Sequence, residues 1–337
     1  MAPFWQRRRP QEQQYYAPPP GPPPAASSSS SAYFPPPPGP PPSQFPAAPP
    51  PAWEPAPEAT HAHGLFHEAS EDDYERAEAF TRHTPEAPPR LLASETLEAI
   101  RERGPGVWTL EWPRAEPGRF VGRVDADVKG ARVAGATRVR TEAACRDVCL
   151  LSNLPLVAGC YGVNRQKGVY FEVQVNRMEG VIAVGTACRP YPEWRMPGWN
   201  RLSAALHLDD MRKFFEDPDG GRDYVPGLPP ARAGDVVGCG YEFATGVLFF
   251  TLNGARLPPA FTGVYMPRHA HDVYAAVGVD GACEFDVNFG TGAFVWKGGE
   301  EFGWRVDGQV GRVLEDPEAG GEALPSYSEA RSSRRAR

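Results

Sequence analysis

Residues Gly234 to Arg256 read GDVVGCGYEFATGVLFFTLNGAR, and this stretch predicts two consecutive β-hairpins. A first apolar run, Asp235 to Tyr241, ends at a turn over Ala244 to Gly246. A second run, Val247 to Leu252, ends at Asn253-Gly254, a pair that suits a tight hairpin turn because both residues tolerate positive φ. The stretch therefore favours an antiparallel β-sandwich that binds a partner over an enzyme core.

The β pattern continues on both sides of this stretch. Residues Gly168 to Val175, GVYFEVQV, alternate so that successive side chains face opposite sides of a strand. Further strands are predicted at residues 107–112, 120–124, 148–151, 181–186, 272–279 and 283–289. A turn at Glu179-Gly180 is predicted to precede the strand at 181–186. Many short strands joined by turns predict an all-β, two-sheet antiparallel β-sandwich, with no room for βαβ crossovers.

The distribution of proline divides the chain into regions. Of the 40 prolines, 21 precede residue 60, where apolar β-branched residues are nearly absent. Residues 1–60 are therefore predicted to be disordered, with polyproline II character. Residues 61–106 are predicted to be an acidic linker with one short amphipathic helix over 91–103, stopped by the glycine and proline residues of 104–106. Residues 107–300 form the predicted β domain, and residues 301–337 a flexible tail.

Charge and cysteine content narrow the function classes. The formal net charge of −7 argues against nucleic-acid binding. The six cysteines contain no C-x-x-C pair, and no signal-peptide-like apolar stretch begins the chain. We therefore expect free thiols in a reducing, cytoplasmic compartment. No apolar run approaches the roughly 18 residues that a spanning helix needs, so no transmembrane segment is predicted in this chain.

Several separate blocks, in this order, resemble a SPRY domain. The blocks are GVYFEVQV at 168–175, VIAVGTACRPYPEWRMPGWNRLSAALH at 181–207, GDVVGCGYEFATGVLFFTLNG at 234–254, VYAAVGVDG at 273–281 and FDVNFG at 285–290. The fold that this resemblance implies is a concanavalin A-like jelly roll. Leu154-Pro155-Leu156 and the loop RPYPEWRMPGW at 189–199 further resemble the fungal SPRY proteins that act as adaptors for a HECT-type ubiquitin ligase.

The resemblance implies a non-catalytic adaptor. In the resembling family the targets are membrane transporters that are sent to the vacuole. It therefore implies a target protein, such as a cytosolic segment of a transporter, and a location at the endosomal or vacuolar membrane surface. The alternative is a SPRY scaffold subunit of another complex with no ligase-recruiting role.

A short motif near the end of the chain fits this role. Residues Leu324, Pro325, Ser326 and Tyr327 form L-P-x-Y, a variant of the P-P-x-Y ligand of WW domains. A WW groove accepts such a segment because its polyproline II shape is preformed and little entropy is lost. Leu324, Pro325 and Tyr327 are the predicted contacts with a WW-domain HECT ligase. The N-terminal proline runs are interpreted as an extended spacer.

The loop at 189–199 is the predicted target-binding site. It concentrates Tyr191, Trp194, Arg195 and Trp199, and aromatic and Arg side chains dominate recognition surfaces. Loops at the end of a rigid sandwich are a usual place for such a surface. Trp194 and Arg195 are predicted to be the exposed pair. The alternative, given equal weight, is that Tyr191 and Trp199 anchor the loop on the sheet.

The sequence supports an enzyme or a metal site less well than it supports a protein-binding role. Glu284, Asp286 and Asn288 lie on one face of a predicted strand, as the acids of some jelly-roll glycoside hydrolases do. Asn288 and Phe289 occupy the place of a third acid, which leaves no proton donor for the leaving group. The pairs His61/His63 and His269/His271 lack a second pair of ligands nearby, so no metal and no cofactor are predicted.

Overall fold

The structure is a computed structural model that describes residues 69–126, 131, 133–163 and 166–302. Two helices precede the strands, α1 (Glu71–His83) and α2 (Ser94–Arg103), and a short helix, α3 (Gly299–Phe302), follows them. The eleven strands are β1 (Gly122–Asp125), β2 (Thr137–Thr141), β3 (Val148–Leu151), β4 (Gly168–Cys188), β5 (Ser203–His207), β6 (Arg212–Phe215), β7 (Arg222–Asp223), β8 (Val236–Glu242), β9 (Leu248–Leu252), β10 (Ala255–Phe261) and β11 (Val273–Asn288). All pairings between these strands are antiparallel. None of the helices in the described ranges is long and apolar enough to cross a membrane.

Two long strands organise the sandwich. β11 pairs with β4 along its whole length, from Val273 opposite Cys188 to Asn288 opposite Glu172. The turn predicted at Glu179-Gly180 is wrong, because β4 runs straight through it. The two strands predicted at 272–279 and 283–289 are likewise one strand, β11, which is continuous through Gly281. The glycines interrupt the alternation of apolar and polar residues, and such an interruption is also typical of a turn. In the structure, Gly180 and Gly281 instead pair with each other in the middle of the ladder between β4 and β11.

The two halves of this ladder belong to different layers. In the first layer, the N-terminal half of β4 pairs with β8, which continues into β9 and β10, and the C-terminal half of β11 pairs with β2 and then β1. In the second layer, the C-terminal half of β4 pairs with β5, β5 with β6 and β6 with β7, and the N-terminal half of β11 pairs with β3. The prediction of a two-layer antiparallel sandwich is confirmed, with the two layers hydrogen-bonded into one sheet.

The core lies between the two layers. On β4 the core-facing residues include Val173 and Val175 before residue 176, and Ile182 and Val184 after it, so the parity changes. The change coincides with a bulge, because Val175 and Arg177 pair with the adjacent residues Phe285 and Glu284. An extra residue in one strand shifts every later side chain to the other face. The bulge at position 176 therefore keeps both halves of β4 facing the same core.

The hairpin predicted at Asn253-Gly254 is confirmed. Leu252 of β9 pairs directly with Ala255 of β10, and φ is 50° at Asn253 and 81° at Gly254. Positive φ at both central residues is the geometry of a type I′ turn. The Asn253 side chain also accepts a hydrogen bond from the Val236 backbone N–H at 2.9 Å, which ties this turn to the start of β8.

Replacement of Gly254 by valine should lower the free energy of unfolding by more than about 1 kcal/mol, because a β-branched side chain resists left-handed backbone. A new Cβ would also lie 3.0 Å from the carbonyl oxygen of Val295. Chemical denaturation measures the change. Gly106→Ala is the control, since its new Cβ meets only the Thr291 methyl at 3.7 Å and its φ is not left-handed. Equal stability of the Gly254→Val variant and the wild type would contradict the turn assignment.

The helical region before the sandwich differs from its prediction. The helix predicted over 91–103 is confirmed as α2, which ends at Gly104 with φ of 55°. The prediction of a single preceding helix is wrong, because α1 also forms. Its apolar content is too low for a clear period, but Ser70 caps it by accepting from the Asp73 N–H at 3.2 Å. The pattern Ser-x-x-Asp at 70–73 was the local signal for this start.

Candidate functional site

The predicted WW-binding residues Leu324, Pro325 and Tyr327 lie outside the described residues, as do residues 1–60 of the predicted proline-rich region. The surface that can be built from side chains is the loop at 189–199 and its surroundings.

The loop folds back over the outer face of the second layer. Tyr191 is 6 % exposed and packs in a cluster with the outward-facing residues Leu151 and Ala276. Its hydroxyl donates to the backbone oxygen of Met196 at 2.6 Å. Trp199 is 3 % exposed and packs with a second set of outward-facing residues, Val181, Met196 and Phe214. Tyr191 and Trp199 therefore anchor the loop, which is the alternative that the sequence left open.

The predicted exposure of Arg195 is wrong. Its side chain is 1 % exposed, and its guanidinium lies 5.2 Å from the centre of the Trp199 ring. Burial lowers the pKa of Arg195, an effect that the nearby Tyr191, Asp73 and Asp147 partly offset. Trp194 is half-buried, so it alone of the predicted pair reaches the surface. The sequence pattern revealed neither the packing of Arg195 against Trp199 nor the packing of α1 on Trp194.

Helix α1 contacts the loop through aromatic and polar groups. Phe80 meets Trp194 edge-to-face with ring centres 5.5 Å apart, and the Arg76 guanidinium lies 5.0 Å from the centre of the same indole ring. At the far end of α1, the Asn200 amide donates to the Thr81 hydroxyl at 3.0 Å. The helix is thus fixed along one side of the loop.

Asp73 fixes the other end of α1. Its carboxylate pairs with Arg119 at 2.6 Å and with Arg76 at 3.2 Å, and its side chain is 12 % exposed. Burial pushes the pKa of Asp73 upward, but the hydrogen bond and charge of Arg119 and the charge of Arg76 outweigh burial and hold the pKa below its usual value. The ionised form of Asp73 therefore stabilises the docked helix.

This pKa shift predicts how helix docking depends on pH. A carboxyl whose folded pKa is depressed stabilises the folded form above its unfolded pKa of about 3.9, and the stabilisation is lost as the pH falls through the folded pKa. Hydrogen exchange of α1 amides should show that Asp73→Asn lowers the opening free energy by about 1–2 kcal/mol at neutral pH. That difference should stay constant down to about pH 5 and then shrink. A difference that persists unchanged to pH 3 would contradict the role of Asp73.

An open cleft lies beside the loop. It has a volume of about 740 Å³ and is bounded by Phe80 and the segment 84–90 on one side and by the loop on the other. Trp194, Tyr191 and Tyr274 supply aromatic surface to it. Proline residues at 85, 88 and 190 also line the cleft and stiffen its walls.

Two of the three carboxylates that line this cleft, those of Asp272 and Glu193, are already engaged. Asp272 accepts from the backbone N–H groups of Arg90 at 2.9 Å and Gly159 at 2.8 Å, and Glu193 accepts from the backbone N–H of Arg114. The side chains of Arg90 and Arg114 are exposed and, within the described part of the chain, form no hydrogen bond or ion pair. The groups that remain available in the cleft are thus the two arginines, the exposed carboxylate of Glu86 and the aromatic rings.

The acids of the rival hydrolase interpretation are engaged in structural pairs. Asp286 accepts from two guanidinium nitrogens of Arg138, at 2.5 Å and 2.7 Å. Glu284 lies 3.3 Å from Arg140, and Asn288 Oδ1 accepts from the Gly290 backbone N–H at 2.8 Å. These side chains hold β11 against β2 and the following turn, so their alternation on one face has a structural cause.

The candidate metal ligands and the cysteines are distributed over the molecule. Across the ranges that the structure describes, no three His, Cys, Asp or Glu side chains are grouped so that they could hold a metal ion. His61 and His63 lie outside those ranges. All six cysteines are free thiols. Burial raises the pKa of Cys145 to about 11 and that of Cys283 to about 12.

Comparisons with known proteins agree with this fold. Residues 168–292 match the family model described as SPRY domain. A protein named ssh4 from Sclerotinia sclerotiorum is 29% identical over 257 residues, which cover 74% of this chain and 43% of that protein. A SPRY domain-containing protein of Schizosaccharomyces pombe is 31% identical over 173 residues, 51% of this chain and 41% of that protein. This chain therefore spans less than half the length of these curated relatives.

A solved structure is also similar. The crystal structure of a human SPRY domain is 24% identical, with a TM-score of 0.36, and the match covers 51% of this chain and 96% of that one. The strands β1 to β3 precede the matched residues but pair with each other or with β11, so they belong to the same sandwich. The match to the family model and the antiparallel sandwich lead to one conclusion: residues 168–292 of this chain are a SPRY domain.

Proposed function

We propose that this protein is a non-catalytic adaptor that joins a target protein to a ubiquitin ligase. The SPRY domain binds the target, and the tail motif Leu324-Pro325-x-Tyr327 recruits a HECT-type ligase through its WW domains. The outcome is ubiquitin-dependent sorting of membrane proteins toward the endosome and vacuole, with the adaptor on the cytoplasmic side. The resemblance to fungal SPRY adaptors supports this assignment.

The observation that carries the binding role is the cleft beside the loop. A volume of about 740 Å³ exceeds that of a single side chain, and the cleft combines aromatic rings with two unengaged arginines. Aromatic and Arg side chains supply most of the energy of protein–protein contacts. We therefore assign target binding to this side of the domain, with Trp194 at its rim and Tyr191, Arg195 and Trp199 as the buried frame beneath it.

The ligase-recruiting role rests on the chemistry of the tail motif. Proline at position 325 favours the polyproline II shape that an aromatic WW groove accepts. Tyr327 would fill the adjacent pocket. Glycine residues at 320–321 and polar residues at 328–329 flank the motif, a composition that leaves it accessible.

Substitution of Tyr327 by alanine should abolish binding to isolated WW domains of HECT ligases and leave the melting temperature unchanged. The reason is that Tyr327 is a motif residue beyond the sandwich. Pull-down with immobilised WW domains and thermal denaturation measure the two effects. Ser326→Ala is the matched control, because it changes the variable position of the same motif and should keep binding.

The same variants separate the adaptor from a plain scaffold. With a ligase and a bound target present, Tyr327→Ala should remove target ubiquitination while target binding persists. If Tyr327→Ala leaves both WW binding and target ubiquitination intact, the adaptor assignment fails. The SPRY scaffold subunit of another complex then takes its place.

A further inference from the structure

We propose that the surface under α1 is a helix-docking site for the target protein, and that α1 is the occupant which the target replaces. This surface, the α1 site, is formed by Arg119, Trp194 and Asn200, which contact α1, and by Arg195 and Trp199, which pack on each other beside them. The partner that fits it is an acidic amphipathic helix. The proposal deepens the target-binding role above and rests on it.

The contacts of α1 follow the spacing of a helical ligand in a groove. Asp73, Ala77 and Phe80 occupy positions i, i+4 and i+7, and Asp73 and Ala77 are both buried. Helices that dock into grooves place their anchors at these spacings, because residues three and four apart share one face. The anchors are an acid that pairs with Arg119, a small residue at the closest approach, and an aromatic ring against Trp194.

The rest of α1 is suited to water and not to permanent burial. Its sequence, EDDYERAEAFTRH, is mostly charged or polar, and Tyr74 is 40% exposed. Phe80 is its one large apolar side chain against the loop among the described contacts. A helix that buries so little apolar surface belongs to the parts of a protein with a low free energy of local opening. Release of α1 would leave the sandwich core between the two layers intact, because none of its residues belongs to that core.

The α1 site contains donors that α1 leaves unpaired. The Nε and Nη1 atoms of Arg195 and the Nε1 atoms of Trp194 and Trp199 are buried and have no acceptor among the described residues. A buried donor without an acceptor carries the full cost of its desolvation. A helix that repeats the anchors of α1 and adds a carboxylate facing Arg195 would remove part of this cost. Such a helix would bind the site more tightly than α1 does, residue for residue.

Charge complementarity points to the same class of partner. Arg119 pairs with Asp73 of the docked helix at 2.6 Å, and the buried guanidinium of Arg195 lies close enough to feel the charge of the same carboxylate. The first turn of α1 itself carries Glu71, Asp72 and Asp73. The occupant is therefore a helix with acids in its first turns and an aromatic residue seven positions after the anchoring acid.

The test uses the full chain and a fluorescein-labelled synthetic peptide of residues 69–84 as the probe. In the wild type, α1 occupies the site as an intramolecular ligand at an effective concentration of about millimolar, so the peptide should bind at least tenfold more weakly than to a release variant. The release variant is Asp73→Asn with Phe80→Ala. The matched control, Asp72→Asn with Tyr74→Ala, changes the same residue types on the exposed face and should bind like the wild type. Fluorescence anisotropy measures each dissociation constant.

Two further binding experiments test which residues of the peptide and of the domain are in contact. A peptide with Asp73→Asn and Phe80→Ala should lose at least tenfold in affinity for the release variant. A glutamate scan of the peptide should find one position where affinity rises at least tenfold, and that gain should disappear when Arg195→Met is added to the release variant. Arg195→Met removes the unpaired donors and keeps an apolar side chain of similar length, so melting should be retained.

Three results would overturn the proposal. They are equal peptide binding to the wild type and the release variant, no binding to a release variant that melts normally, and a release variant that becomes a dimer by exchanging α1 between copies. None of these measurements involves the tail. Failure of the ligase-recruiting role would instead appear in the WW pull-down with Tyr327→Ala, so the two failures are distinguishable.

Discussion

Replacement of Asp286 by alanine should lower the free energy of unfolding by about 3–5 kcal/mol, among the largest effects expected of a single substitution in this protein. The Asp286 side chain is 6% exposed and accepts two hydrogen bonds from Arg138, whose own side chain is 15% exposed. Removal of the carboxylate leaves a guanidinium in place without its counter-charge, and the lost ion pair links β11 to β2 in the first layer. Chemical denaturation at neutral pH measures the change.

Glu284→Ala is the matched control for this prediction. Glu284 lies on the same strand and the same face and is 3.6 Å from the same Arg138, but its side chain is 29% exposed. Exposed ion pairs contribute about 0–1 kcal/mol, so Glu284→Ala should change stability by less than about 1 kcal/mol. Similar losses for the two variants would show that burial does not set the strength of these pairs.

Replacement of Glu172 by alanine should cost about 3 kcal/mol or more. Glu172 is buried on β4, where its carboxylate accepts from the Tyr170 hydroxyl and from the backbone N–H groups of Val295 and Trp296, each at 2.9–3.0 Å. Each donor left buried without an acceptor costs about 1–3 kcal/mol. The loss would also free the segment that carries Trp296 and Phe302, whose rings pack 5.4 Å from that of Phe249.

The measurement is again denaturation, together with hydrogen exchange over residues 293–302. Glu172→Gln should lose less than Glu172→Ala, because it keeps one acceptor oxygen and the side-chain volume. Glu179→Ala, on an exposed position of the same strand, should be close to neutral. Unchanged exchange over 293–302 in Glu172→Ala would contradict the role of this carboxylate.

Local sequence patterns were sufficient for the short-range features of the fold. Asn253-Gly254 predicts its turn because positive φ at two successive positions restricts the residues that fit. Val148 to Leu151 and the alternation of 168–175 also correspond to observed strands. The continuity of β4 through Gly180 was not predictable, since it depends on pairing with β11 about a hundred residues later. Residues 107–112 likewise provide only an isolated bridge at Leu110, opposite Ser152.

The sequence did not predict how the residues of the candidate site are arranged. The composition of the loop at 189–199 predicts a recognition surface, and this stays a prediction, but the exposure of a residue depends on what packs over it. Arg195 is buried against Trp199, and α1 docks beside it through Asp73 and Phe80, two residues in a mostly polar segment. Non-local ion pairs such as that between Asp73 and Arg119 leave no periodic trace in the sequence. The cleft beside Tyr274 has the same origin, because its walls come from separate parts of the chain.

The continuous ladder of β4 and β11 also bears on how this domain tolerates being cut. In a sandwich whose layers share no strand, a chain break between the layers yields two fragments that each keep their own hydrogen bonds. Here no such break exists, because each layer takes half of β4 and half of β11 as its central pair. A reporter split into two complementing pieces would thus have to divide the chain at an edge, such as the turn between β9 and β10. Because the two layers share β4 and β11, neither layer could be duplicated or exchanged during evolution without the other.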